Sequence, residues 1–193
     1  IVQGISVVIS SLPNLLTLSR IGVIPAIVAL FWIDGESARW AMLALFTLAA
    51  LTDFFDGYAA RSMGMISNFG RFLDPVADKL LVSAVLLMLV AFDRIVGLAI
   101  LPALVILCRE ILVSGLREFL AEIKVGVPVS RLAKWKTGIQ MLMLGFLIVG
   151  DAAPAAIPAI LIGEVGLWIA AGLTVVTGYD YLKTGLVHLT ASS

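Results

Sequence analysis

Six runs of apolar residues, each close to twenty residues long, constrain this chain more than any other feature. They cover roughly residues 15–33, 38–59, 74–92, 95–119, 132–149 and 157–181. A helix rises 1.5 Å per residue, so about 20 apolar residues cross the hydrocarbon layer of a bilayer. Lipid offers no partner to backbone N–H and C=O groups, which leaves helices as the natural form for such runs. Charged residues make up only 13% of the 193 positions, against about 25% in a soluble domain, and the shortfall extends over the whole chain. The expected fold is therefore an all-α integral membrane bundle of six transmembrane helices, a single membrane-embedded domain over residues 1–193. Breaks such as Asp34-Gly35-Glu36 and Asp93-Arg94 leave room only for turns, making neighbouring spans antiparallel. Residues 1–12, apolar at Ile1, Val2, Ile5, Val8, Ile9 and Leu12, are expected to lie as a short helix on the membrane surface. No cleavable leader is expected, because Ile1-Val2-Gln3 opens without a basic region.

The basic residues orient the bundle. Arg39 and Arg94 fall in the first and third connections. The other eleven of the 13 Lys and Arg residues fall near the start, in the second and fourth connections, or near the end. Cytoplasmic loops collect Lys and Arg, so both termini are expected in the cytoplasm, in a membrane such as the bacterial inner membrane. With a net charge of zero, a nucleic-acid partner is not expected. Trp32, Trp40, Trp135, Trp168, Tyr179 and Tyr181 read as an aromatic belt. The one cysteine, Cys108, sits in an apolar run and reads as a buried thiol.

The chemistry concentrates between positions 53 and 78. Asp53 and Asp56 are three apart near the end of the second span, and Asp74 and Asp78 are four apart at the start of the third. Each pair shares one helix face. Asp74-Pro75 reads as a helix start, with Asp as N-cap and Pro at the first helical position. The connection 62–73 can then fold back and set the two pairs opposite each other. A carboxylate at mid-span costs about 2.5–3.5 kcal/mol on insertion scales, and less near a span end. Four together also repel one another. Two hard divalent ions, Mg²⁺ or Mn²⁺, remove both problems, since these ions favour oxygen ligands and a pair of them clamps a phosphoryl displacement.

With Gly57, Ala60, Arg61 and Gly70 these aspartates form the string Asp53-x2-Asp56-Gly57-x2-Ala60-Arg61-x8-Gly70-x3-Asp74-x3-Asp78. It resembles the signature of the CDP-alcohol phosphotransferases at all eight positions and spacings, and the six spans fit that family over nearly the whole chain. The resemblance implies the family's six-helix fold, a homodimer, and a site open to the cytoplasm. It also implies two metal ions on Asp53, Asp56, Asp74 and Asp78, with Asp78 doubling as general base. Asp56, Gly57, Ala60, Arg61 and Gly70 become the nucleotide site: small residues admit the nucleotide, and an arginine can pair with its phosphate.

The acceptor must be read outside the signature. Arg109, Ser114 and Arg117 close the fourth span, and Lys134 and Lys136 open the fifth. Such a basic cluster suits an acceptor carrying its own phosphate. With Asn14, Thr17 and Arg20 in the first span, these segments resemble the bacterial family members whose substrates are CDP-diacylglycerol and glycerol 3-phosphate. Inositol phosphate, serine or another alcohol is the alternative acceptor. A cation transporter is a rival from another class, but it calls for carboxylates near mid-membrane on interrupted helices. Glu110, Glu118 and Glu122 read as partners of nearby basic residues.

Overall fold

The computed structural model describes residues 12–63, 68–123, 125 and 131–191, and all regular structure among them is helical. The helices are α1 (Leu12–Leu30), α2 (Glu36–Met63), α3 (Asn68–Ala91), α4 (Ile100–Glu122), α5 (Arg131–Val149) and α6 (Ala159–Ala191). Single 3-10 turns at Gly97–Ala99 and Gly150–Ala152 lead into α4 and out of α5. The segments Gly97–Glu122, Leu132–Ala152 and Ala159–Lys183 are long and apolar enough to cross a membrane, and Asn14–Leu30 is a shorter apolar stretch. The expected surface helix falls on residues 1–11, outside those described, with Leu12 already in α1.

The helices pack as two groups. α1 lies against both α2 and α3, while α6 lies against both α4 and α5; α2 against α5 and α3 against α4 and α5 join the groups. Ile27, Met42, Leu81, Leu89, Ile106, Leu144 and Leu167 fill the core. The outside is equally apolar. On α4 the exposed residues Leu101, Leu104, Val105, Cys108, Ile111 and Leu112 recur at helical spacing and form one outward stripe. Cys108 is therefore not the buried thiol its apolar neighbours suggest, because on a lipid-facing stripe an apolar neighbourhood marks the outside. Tyr181 departs from the aromatic belt in the opposite sense: it is buried, whereas Trp32, Trp40, Trp135, Trp168 and Tyr179 are exposed.

α5 and α6 approach closely because glycines face the contact. A Cβ at Gly166 would run into the Met143 side chain, and one at Gly163 would sit 2.6 Å from Leu147 Cγ. Small residues permit this backbone approach, a common means of helix association in lipid.

The short turns form as expected. Asp93 takes a left-handed φ of 54° after α3, and the Arg94 N–H donates to Leu89 O at 2.8 Å, closing the helix end. Beside this turn, Arg94 Nη1 donates to Ile148 O at 2.9 Å and Arg39 Nη1 to Val149 O at 3.3 Å. Arg39 also pairs with Asp151. The last carbonyls of α5 have no partner further along the helix, and the two arginines supply it. Arg94 lies 4.9 Å over the Phe31 ring, and burial together with the Arg39 charge lowers its pKa from the ordinary arginine value.

Two expectations about the second connection are corrected. α2 runs to Met63 and α3 begins at Asn68, so much of the expected loop 62–73 is helical. Asp74 and Pro75 lie inside α3, in its second turn, and Asp74 does not cap the helix. A proline there removes one backbone donor but suits the early turns, and Lys79 Nζ donates to Pro75 O at 3.0 Å.

Candidate active site

The described polar core lies where α1 meets α3. Asn14, Thr17 and Arg20 are three residues apart and share one face of α1, and each is at most 1% exposed. Lipid cannot satisfy such groups, so this face must turn inward. Thr17 Oγ1 donates to Asp74 Oδ1 at 2.6 Å, and Arg20 Nη1 donates to Asp78 Oδ1 at 3.0 Å. One turn separates the donors on α1, and one turn separates the acceptors on α3. The result is a pair of rungs that fixes both carboxylates from behind. The side chain of Arg20 is 1% exposed, whereas that of Asp78 is 40% exposed. The guanidinium is thus a buried backing, and the carboxylate remains open to a reactant.

Asp53, Asp56, Gly57, Ala60 and Arg61 lie along the last turns of α2, with side chains outside those described. Gly70 is buried in α3, one turn before Asp74. Asp53 is ten residues before the end of α2 and Asp78 ten residues after the start of α3. Ten residues of helix are about 15 Å. The two pairs are thus about equally far along the chain from the ends of their helices that face the second connection. All four donors are carboxylates, which suits Mg²⁺ or Mn²⁺ over softer metals. Among the described residues, which do not include the side chains of Asp53 and Asp56, no three His, Cys, Asp or Glu groups converge.

The basic residues assigned to the acceptor separate into two kinds. Arg117 and Lys134 are exposed, and Ser114 is half-buried. Arg109 and Lys136 turn inward. Arg109 Nε donates to Thr174 O at 3.2 Å and Nη2 to Thr177 Oγ1 at 3.0 Å, both on α6. The Thr177 hydroxyl in turn donates a hydrogen bond to Leu173 O at 2.8 Å. Gly178 makes room for this side chain, since a Cβ there would approach Arg109 Cγ to 3.2 Å. Lys136, 4% exposed, donates to Glu110 Oε1. The same oxygen lies 3.5 Å from Arg109 Nη1. Glu110 therefore pairs with basic residues, as its position suggests.

An apolar cavity of about 390 Å³ lies apart from these groups, between α2 and α5, lined by Leu43, Phe46, Ala50, Leu142 and Phe146 among others. It has no charged lining residue and cannot be where charged headgroups react.

Arg20 and Thr17 are members of the site that the aspartate spacing does not reveal. Their signal is the three-residue period of polar groups on an otherwise apolar span.

Residues 10–176 match the family model described as CDP-alcohol phosphatidyltransferase. A Rickettsia typhi protein is 53% identical over 173 residues, covering 90% of this chain and 96% of its own. A Bacillus subtilis protein is 38% identical, covering 95% and 99%, and a Cereibacter sphaeroides protein is 37% identical, covering 93% and 97%. All three carry the name CDP-diacylglycerol–glycerol-3-phosphate 3-phosphatidyltransferase.

Proposed function

The chain belongs to the CDP-alcohol phosphatidyltransferase family, and from that premise we propose how its residues perform the transfer. It is a membrane phosphatidyltransferase of phospholipid synthesis, joining the phosphatidyl group of CDP-diacylglycerol to glycerol 3-phosphate with release of CMP. The observation that carries this reading is the pair of rungs holding Asp74 and Asp78 at the helix ends that bear the eight-residue signature.

The acceptor hydroxyl attacks the lipid-side phosphorus, the bond from that phosphorus to the CMP oxygen breaks, and the hydroxyl proton must go to a base. Asp78 takes it: its carboxylate is accessible, and Arg20 holds one oxygen and so sets the orientation of the group. Asp53, Asp56, Asp74 and Asp78 would hold two divalent ions, which would supply charge neutralisation at the diphosphate and the departing CMP. Thr17 fixes Asp74 in its ligating orientation. Gly57, Ala60 and Gly70 let the nucleotide approach, and Arg61 pairs with a phosphate. Arg109, Ser114, Arg117, Lys134 and Lys136 gather the acceptor phosphate. The whole chain acts as one six-span domain with a surface N-terminal helix, as a homodimer in the cytoplasmic membrane, with both termini and the site on the cytoplasmic side. The acyl chains stay in the bilayer, which explains why a headgroup transferase is a membrane protein.

The test is CMP release by purified protein in detergent with CDP-diacylglycerol and Mg²⁺, comparing glycerol 3-phosphate, inositol phosphate, inositol and serine. Turnover with glycerol 3-phosphate alone is expected. Turnover with another acceptor would keep the chemistry and overturn the acceptor assignment.

A further inference from the structure

Around Glu110 the charges do not balance. Arg109 of α4 and Lys136 of α5 converge on the single oxygen Glu110 Oε1. Lys79 of α3 feels Glu110, Glu118 and Arg117, and Lys136 in turn feels Lys79 and Arg109. Four cations (Lys79, Arg109, Arg117 and Lys136) thus face three carboxylates, Glu110, Glu118 and Asp78, and Asp78 is itself paired with Arg20, so the cluster keeps an excess of positive charge. A phosphate monoester carries about −1.5 to −2 at neutral pH and suits a site with an excess of positive charge. The polar cluster is also incomplete. Gln140 Oε1, one turn along α5 from Lys136, and Thr174 Oγ1 are buried with no hydrogen-bond partner among the described residues. Buried polar atoms are ordinarily partnered, so these mark a site that is not closed by its own side chains.

We propose that Glu110 is the resident counter-ion of the acceptor site, its carboxylate holding the place between Arg109 and Lys136 that a phosphate oxygen of the acceptor takes over. An ammonium as buried as Lys136 is costly without an anion beside it, so the empty site needs a substitute. Glu110 is that substitute and reaches Lys136 from the neighbouring helix. The incoming phosphate must displace it, which weakens acceptor binding. On departure of the product the carboxylate returns to the cations, which favours release. Glu110 is a positioning residue: it touches neither substrate nor the reacting atoms and acts through Lys136. The proposal rests on the assignment of Arg109 and Lys136 to the acceptor phosphate.

A purely structural ion pair and an exchangeable one predict opposite shifts in KM. In Glu110→Gln the phosphate no longer competes with a carboxylate. The KM for glycerol 3-phosphate, measured by CMP release, should then fall about tenfold, the loss of one competing charge-assisted hydrogen bond. Inorganic phosphate should inhibit that variant more strongly than the wild type. Glu110→Asp keeps the charge and the fold while drawing the carboxylate back, and should lower KM in the same sense by about threefold on the same reasoning. Lys136→Met is the companion: its KM should rise. A rise in Lys136→Met together with an unchanged or raised KM in the Glu110 variants overturns the counter-ion and leaves the acceptor site standing. An unchanged KM in Lys136→Met overturns the acceptor site and the counter-ion with it.

Discussion

The two ends of this bundle both draw cationic side chains partly or wholly out of solvent, yet they use them differently. At one end Arg39 donates to Val149 O and Arg94 to Ile148 O, the final carbonyls of α5, and Arg39 also meets the exposed Asp151. At the other end Arg20 is held against Asp78, and Lys136 against Glu110. The first arrangement completes backbone that lipid cannot satisfy, and nothing in it must change for the protein to work. The second sets one ionisable side chain against another, so both partners can exchange for substrate, proton or ion. Arg109 stands between the two: it is braced by Thr174 O and Thr177 on α6 while one nitrogen faces Glu110. A buried charge in a membrane protein is thus not by itself a sign of chemistry: Arg94 serves a backbone carbonyl, whereas Arg20 and Lys136 serve carboxylates.

Substitutions at the two ends should separate accordingly. The largest effect is expected for Asp78→Asn, which removes the base and should lower kcat by about 10³-fold or more, the upper part of the range for general bases. Circular dichroism and thermal unfolding should leave its fold intact. Next comes Arg20→Ala: loss of the group backing Asp78 should lower kcat by about 100-fold with a smaller change in KM, a fall comparable to losing one charged hydrogen bond. Arg20→Lys should recover part of it. If Arg20→Ala lowers only thermal stability, the contrast between the ends fails. Thr17→Val removes the donor to Asp74, and the Mg²⁺ concentration needed for half-maximal activity should rise about tenfold, as for other groups that orient a metal ligand. The smallest kinetic effect belongs to the far end. Arg94→Met should lose about 1–3 kcal/mol of stability by stranding a buried carbonyl, seen as a lower unfolding temperature in detergent, with kcat and KM unchanged.

Much of this was legible in the sequence because lipid imposes strong rules. The all-helical character follows from runs that must satisfy their backbone internally, and the turns at Gly35 and Asp93 fall where the charged breaks stand. The candidate aspartates were legible for the same reason, since uncompensated carboxylates in such runs are costly. Helix boundaries were not. Asp74-Pro75 has the residues of a helix start, but a proline in the second turn is tolerated, and α3 begins six residues earlier. Which apolar face turns inward was also hidden, because lipid and protein core look alike in composition; Cys108 and Tyr181 were misplaced on that account. Tertiary partners were the least legible. Nothing local to Thr17 or Arg20 says that their partners lie 57 and 58 residues away.

The most direct test of the carboxylate site is a Mn²⁺ titration of the purified protein in detergent, followed by electron paramagnetic resonance. It should be run beside a variant carrying Asp53→Asn and Asp74→Asn. Two ions taken up per wild-type chain and none by the variant, with Arg94→Met indistinguishable from wild type, is the expected result. Equal uptake by the wild type and the double variant, or no uptake by the wild type, would contradict the assignment of these aspartates.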